Sequence, residues 1–142
     1  MSEELDKEEL QQAMQRYQQL QQQIEAMQEY QEDIEEQIEE LKTTKESIAE
    51  LEKAEEGKEI IVPVGSGAFA IAEIKDSSQV LVNIGADTLA KKDTEKAQEL
   101  MSERKEEMED AKKEMQENLN SDKKEMQELM PKLQKMQKQM QG

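Results

Sequence analysis

Apolar residues recur along the first fifty positions in alternating steps of three and four: Leu10, Ala13, Tyr17, Leu20, Ile24, Met27, Ile34, Ile38, Leu41 and Ile48. Polar Gln31 and Lys45 occupy two positions of the same seam. Spacing of this kind, held over about five to six repeats, predicts a helix with a single apolar stripe, the heptad pattern of a coiled coil. From Leu10 to Leu51 such a helix would run roughly 63 Å at 1.5 Å per residue. Its other faces are full of Gln and Glu, so it seeks one partner along one stripe. A second stripe near the other end, Leu100, Arg104, Met108, Ala111, Met115, Leu119, Asp122, Met126, Leu129, Leu133, Met136 and Met140, is spaced by fours and threes. Its early part steps 4-4-3 twice, an eleven-residue repeat that relaxes left-handed supercoiling, before returning to 4-3. A long, fairly straight helix that coils near its distal end is expected there.

Between the helices the period changes from helical to two. The heptads stop at Glu55-Glu56-Gly57-Lys58, where a helix-ending glycine stands. Ile60, Ile61, Val62 and Val64 read as a strand, Ala68 to Ile74 as a second and Val80 to Ile84 as a third, with Asp76-Ser77-Ser78 turning between the last two. Pro63 has no amide hydrogen, which puts its strand at an edge or at a bulge. The run Gly65-Ser66-Gly67-Ala68-Phe69-Ala70 also fits a dinucleotide-binding fingerprint and echoes a kinase glycine loop. A phosphate-binding fingerprint, however, needs its glycines to open a helix, and the alternation from Ala68 to Ile74 is that of a strand. Asp87 stands near the distance of a ribose-binding acid at loose spacing, and a kinase loop needs a catalytic domain that a chain of this length cannot hold. The glycines are therefore expected to turn a β-connection.

Composition removes most chemistry. The 142 residues include no Cys, His or Trp, so disulfides, Cys/His metal sites, thiol nucleophiles and histidine-based acid–base pairs are excluded. No catalytic residue, metal site or cofactor is expected, and the many carboxylates read as solvated helical faces. A net charge of -16 argues against nucleic-acid phosphates as a partner. The acidic start MSEELDKEEL is no secretory signal, and no apolar run is long enough to span a bilayer, so a cytoplasmic protein without a membrane partner is expected. Residues 1–56 carry 18 acids and 5 bases, residues 93–142 carry 13 acids and 10 bases, so the second helix is the less repulsive partner for the first. Run antiparallel, Lys123, Lys124, Lys132, Lys135 and Lys138 would face Glu3, Glu4, Asp6, Glu8 and Glu9, setting orientation more than stability.

Three parts follow: a coiled-coil helix over 1–56, a β-hairpin segment over 57–92 and a second coiled-coil helix over 93–142. About 30 residues of strand and turn are not stable alone, and a single helical hairpin cannot bury them. Assembly is thus a physical requirement, met through Ile60, Val62, Val64, Phe69, Ile71, Ile74, Val80, Val82 and Ile84. The fold class is α+β, a long antiparallel coiled-coil helical hairpin whose central β-hairpin segment joins an oligomeric β-barrel body.

This order of parts, with Val62-Pro63-Val64-Gly65-Ser66-Gly67-Ala68-Phe69, a charged turn, a Val/Ile strand, Gly85, and Lys91-Lys92-Asp93 entering the second helix, resembles the alpha-type subunits of archaeal prefoldin over nearly the whole chain. One departure is Ala86-Asp87-Thr88-Leu89-Ala90, where that family has more β-prone residues, which leaves the fourth strand open. The resemblance implies a hexamer with beta subunits, two alpha and four beta, whose strands form a double barrel carrying six coiled coils. It implies an ATP-independent chaperone that captures non-native client polypeptides between the coiled coils and passes them to a group II chaperonin. Client contacts are expected where the helices end, at Leu5, Leu10 and Met14 of one helix and Met126, Met130, Leu133, Met136 and Met140 of the other. Pro131 should kink or fray the last helix there and open part of the seam. Two rival readings are a coiled-coil scaffold without client binding and a nucleotide-using enzyme built on Gly65 to Ala70.

Overall fold

The computed structural model describes residues 2–141, with side chains described over 7–139. Helix α1 (Ser2–Lys53) leads into strands β1 (Glu59–Gly65), β2 (Ala68–Glu73), β3 (Gln79–Asn83) and β4 (Leu89–Asp93), and helix α2 (Thr94–Gln141) follows. The strands form two separate antiparallel hairpins, β1–β2 and β3–β4, and no barrel closes within the single chain. Two long helices flanking β-hairpins is the expected fold class, and the fourth strand, left open by the sequence, completes the second hairpin.

The β1–β2 connection is a two-residue loop. Ser66 and Gly67 both have positive φ, 49° and 81°, and Gly65 pairs with Ala68 across it. This is the type I′ geometry whose twist matches that of the flanking strands. The register shifts between Pro63 and Gly65, so the residue without an amide hydrogen sits next to a bulge. The second hairpin turns through Ala86 and Asp87, at φ 49° and 57°, with the Thr88 amide donating to the Gly85 carbonyl at 2.9 Å. Asp87 is a turn residue.

β4 corrects the expectation at Lys91-Lys92-Asp93, which do not lead into the helix but complete a strand. Ala90 pairs with Val82 and Lys92 with Val80, so β3 supplies a ladder that the weak intrinsic preference of these residues would not predict. The helix then starts at Thr94, whose buried amide donates to the Ser78 carbonyl at 2.9 Å.

The chain packs as two units, residues 37–108 and residues 1–36 with 109–142. In the first, Ile48, Val82, Ala97 and Met101 form a buried cluster, flanked by Leu41, Val80 and Leu100. Ala97 and Met101 are more deeply buried than Leu100, from which the second stripe was read. Lys45 is exposed, and Thr44 takes the half-buried place with its hydroxyl donating to the Glu40 carbonyl at 2.8 Å. A short hydroxyl that bonds its own helix fits there at lower desolvation cost than an ammonium.

In the second unit Leu20, Ile24, Ile34 and Leu119 are buried, and Leu10, Ala13, Tyr17, Met27, Ala111, Met115, Met126, Leu129, Leu133 and Met136 are half-buried along the same stripes. The side-chain amide of Gln31, also half-buried, donates to the Gln116 side-chain oxygen at 2.7 Å, a polar seam position satisfied across the pair. Arg16 with Glu125, Gln31 with Gln116 and Glu35 with Lys112 fix the helices of this unit as antiparallel. α2 runs unbroken through Pro131 to Gln141, so the expected fraying does not occur. Half-buried Met126, Leu129, Leu133 and Met136 bracket the proline, and their packing offsets its missing hydrogen bond.

Candidate functional site

Two sets of apolar side chains remain outside the packing of the chain. The larger lies on the strands. In β1–β2, alternation sends Ile61, Pro63, Phe69 and Ile71 to one face, and Ile61 and Ile71, directly paired, are 71% and 74% exposed. The opposite face carries Val62 and the small residues Ala70 and Ala72. Val64, in the bulge, and Ile84, beyond β3, are exposed as well, and Ile60 is half-buried. This hairpin therefore presents apolar surface on both sides. In β3–β4 one face is spent inside the chain, through Val82 and half-buried Val80, while Leu81 and Leu89 stand exposed on the other.

The nine strand residues singled out in the sequence thus divide. Val62, Val64, Phe69, Ile71 and Ile84 are exposed, and Ile60 and Val80 are half-buried. Ile74 and Val82, only 7% and 5% exposed, are covered by the chain's own packing. Ile61, Leu81 and Leu89 were missed, although strict alternation from Phe69 and Ile71 across the ladder would have found Ile61.

The smaller set lies where the helices end. Met14 and Met130 are 43% and 48% exposed, at positions just off the seam, whereas Leu10, Met126, Leu133 and Met136 are half-buried within it. Leu5 and Met140 lie outside the residues whose side chains are described. Tyr30, which the sequence reading left aside, is also exposed on the helical surface.

Close to Met14 in sequence, the Arg16 guanidinium makes a two-pronged contact to Glu125, Nε to Oε1 at 2.9 Å and Nη2 to Oε2 at 2.8 Å, and a third bond to the Gln19 side-chain oxygen at 3.2 Å. These hydrogen bonds hold the Glu125 carboxyl below its ordinary range and raise the guanidinium further. Among the described residues the charges that meet across the helices here are Arg16 with Glu125 and Lys112 with Glu35. Glu8 and Glu9 do not pair with the distal lysines. Arg104, the other arginine of the chain, donates to the Asn83 carbonyl at 2.8 Å and ties α2 to the second hairpin.

The glycine run opens no helix, so it offers no ring of amides to a phosphate. No helix among the described residues is long and apolar enough to cross a membrane, and no cluster of three metal-binding side chains occurs among them.

Comparison with known proteins gives a consistent result. Over 53 residues the chain is 42% identical to the prefoldin subunit alpha of Methanothrix thermoacetophila, a stretch covering 37% of this chain and 35% of that relative. It is 45% identical over 53 residues to the prefoldin subunit alpha of Thermofilum pendens, covering 37% of this chain and 41% of that relative. The matched stretch is thus well under half the length of either relative. A filamentous PFD from Methanocaldococcus jannaschii, known from cryo-EM, shares the fold at a TM-score of 0.75 and 19% identity, covering 82% of this chain and 97% of that one. The family model described as Prefoldin subunit matches residues 20–139, through both helices and both hairpins, and the chain belongs to the prefoldin family.

Proposed function

We propose that this chain is the alpha-type subunit of an ATP-independent chaperone, which holds non-native polypeptides at its helix ends and delivers them to a group II chaperonin. The observation that carries the reading is the pair Met14 and Met130, thioether side chains left exposed beside a stripe that packs without them. Methionine is unbranched and polarizable, so it fits apolar segments of many sequences. The helix seam holds the two ends together while these side chains meet the client. Several such ends in one complex add weak contacts through effective concentration.

The exposed strand faces supply the second half of the reading. They join the chain to beta-type prefoldin subunits, two alpha with four beta, in a shared β-body that covers Val62, Val64, Phe69 and Ile71. Holding of this kind involves no bond making, so the chain acts without a cofactor and is not an enzyme. A scaffold without client binding would assemble equally well and differs only at the helix ends.

The test is light scattering from a chemically denatured client diluted into buffer without nucleotide. The chain premixed with an archaeal beta-type subunit is expected to suppress scattering at about stoichiometric complex. Met14→Asp with Met130→Asp should leave assembly and helicity unchanged and weaken suppression several-fold, because charged side chains replace the apolar contacts. Equal suppression by the variant would remove these two residues from the mechanism. No suppression by the wild-type complex would leave the scaffold.

A further inference from the structure

We infer that the flank of the helical pair carrying Met14 and Met130 is a selective strip for extended polypeptide segments in which an apolar side chain stands between two carboxylates. The inference deepens the reading that the chain holds non-native polypeptides near its helix ends, and it names the chemistry that such a segment carries.

Arg16 and Glu125, which bond across the pair, each stand one residue before a seam position, Tyr17 and Met126. Glu35 and Lys112, which meet at 3.1 Å, each stand one residue after a seam position, Ile34 and Ala111. One step along a helix turns about 100°, so the two pairs lie on opposite flanks of the seam, and each flank of α1 faces the like flank of α2. Met14 follows Ala13 and Met130 follows Leu129, which puts both on the flank of Glu35 and Lys112. The register set by Arg16 with Glu125 and Gln31 with Gln116 brings the two methionines to within about one turn of the same level. Two exposed thioethers thus hold facing positions that, further along the same flank, hold an ion pair.

The surroundings of this pair depart from the rest of a chain of net charge -16. After the seam positions from Leu10 to Leu20 come three glutamines and Met14, and after those from Asp122 to Met136 come Lys123, three glutamines and Met130, all exposed and none a carboxylate. Lys7, one heptad before Met14, extends the strip toward the helix end, and Glu25, which follows Ile24, closes it on the other side. Neither Lys7 nor Lys123 has an ion pair among the described residues, and Asp122 acts on Arg16, which stands on the opposite flank. The two lysines lie two turns from the methionines in opposite directions, roughly 21 Å apart along the strip. An extended segment rises about 3.3 Å per residue, so acids about six residues apart reach both ammoniums. The apolar centre of such a segment then falls on the thioethers. The glutamine amides, each both donor and acceptor, meet its backbone groups whatever the sequence.

The test is the binding of labelled peptides of about seven residues to the complex of the full chain with an archaeal beta-type subunit, read by fluorescence anisotropy. At about 0.15 M salt the distant acids are screened and the adjacent lysines are not. A peptide with a leucine centre and an aspartate at each end is expected to bind at least about tenfold more tightly than the same peptide with a lysine at each end. The sign is decisive, because a net charge of -16 by itself favours the lysine-ended peptide. Lys7→Glu with Lys123→Glu should reverse the preference. Lys124→Glu with Lys138→Glu, the same change of charge at exposed positions two residues past the seam, should leave it within about twofold. Met14→Ser with Met130→Ser should weaken both peptides at least about fivefold. Unchanged helicity by circular dichroism confirms folding of each variant. Equal binding of the two peptides, a preference for lysine ends, a preference that survives Lys7→Glu with Lys123→Glu, one lost equally in the Lys124 and Lys138 variant, or affinity indifferent to the methionines overturns the inference. Client scattering reads the chaperone role separately. A complex that suppresses scattering without the preference loses only the selective strip, and one that shows the preference but suppresses nothing keeps the strip and loses the chaperone role.

Discussion

Single side chains set the details that distinguish this hairpin from any two polar helices. Arg16 grips Glu125 with a planar fork that an ammonium could not reproduce, and it does so at a surface where most ion pairs contribute little. The Glu125 carboxyl is pushed below its ordinary value of 4.5 by the hydrogen bonds from Arg16. A depressed acid adds stability above its unfolded pKa and loses it as pH falls through the folded one. Stability curves of wild type and Glu125→Gln should therefore differ at neutral pH and converge below about pH 4.5, with high salt shrinking the difference. The raised Arg16 works in the other direction, its share being present at all pH values below the guanidinium range, so it shapes no transition in this window. At the first turn, Gly67 has φ 81°, which side chains with a Cβ adopt at a cost of about 1 kcal/mol. Gly67→Ala should speed hydrogen exchange of the Val62 and Ala70 amides, which bond across the ladder, about fivefold or more, with the helices unaffected.

At the scale of the element, each helix follows from a stripe and each hairpin from alternation and turn chemistry. Leu20 is fully buried in the seam, and Leu20→Ala should cost about 2–5 kcal/mol, read as a lower denaturant midpoint. The polar seam position at Gln31 acts differently, since its bond to Gln116 is satisfied only in one alignment of the two helices. Most of this was legible. The three- and four-residue steps marked Leu20, Ile24, Ile34, Ile48 and Leu119, all of which are buried, because helical period maps directly onto one face. The glycine run was legible as a turn because its flanks alternate as strands do. β4 was open in the sequence because Leu89-Ala90-Lys91-Lys92-Asp93 has little preference for a strand of its own and acquires it by pairing with β3. At Pro131 the fraying expected beside a kink does not occur, for a related reason. A local rule about proline was outweighed by apolar contacts on both sides of it.

For the whole molecule, the notable division is between apolar surface that the chain covers and apolar surface that it leaves. Ile71 and Ile74 are three residues apart and alike in sequence, yet one is exposed and the other buried; Leu81 and Val82 are neighbours with the same contrast. The amino-acid order by itself determined two amphipathic helices, strands between them, a turn at Gly65-Ser66-Gly67 and the absence of thiol and imidazole chemistry. These depend on residues near one another in the chain, or on composition alone. Only the tertiary structure decided that the strands form two hairpins, that Thr44 and not Lys45 enters the packing, that Val82 serves the chain while Leu81 is free, and that Arg16 meets Glu125. Each of those depends on what other parts of the chain place against a side chain or a strand, as far away as the 109 residues between Arg16 and Glu125. Periodicity tells which residues share a face, whereas burial is settled by what lies against that face.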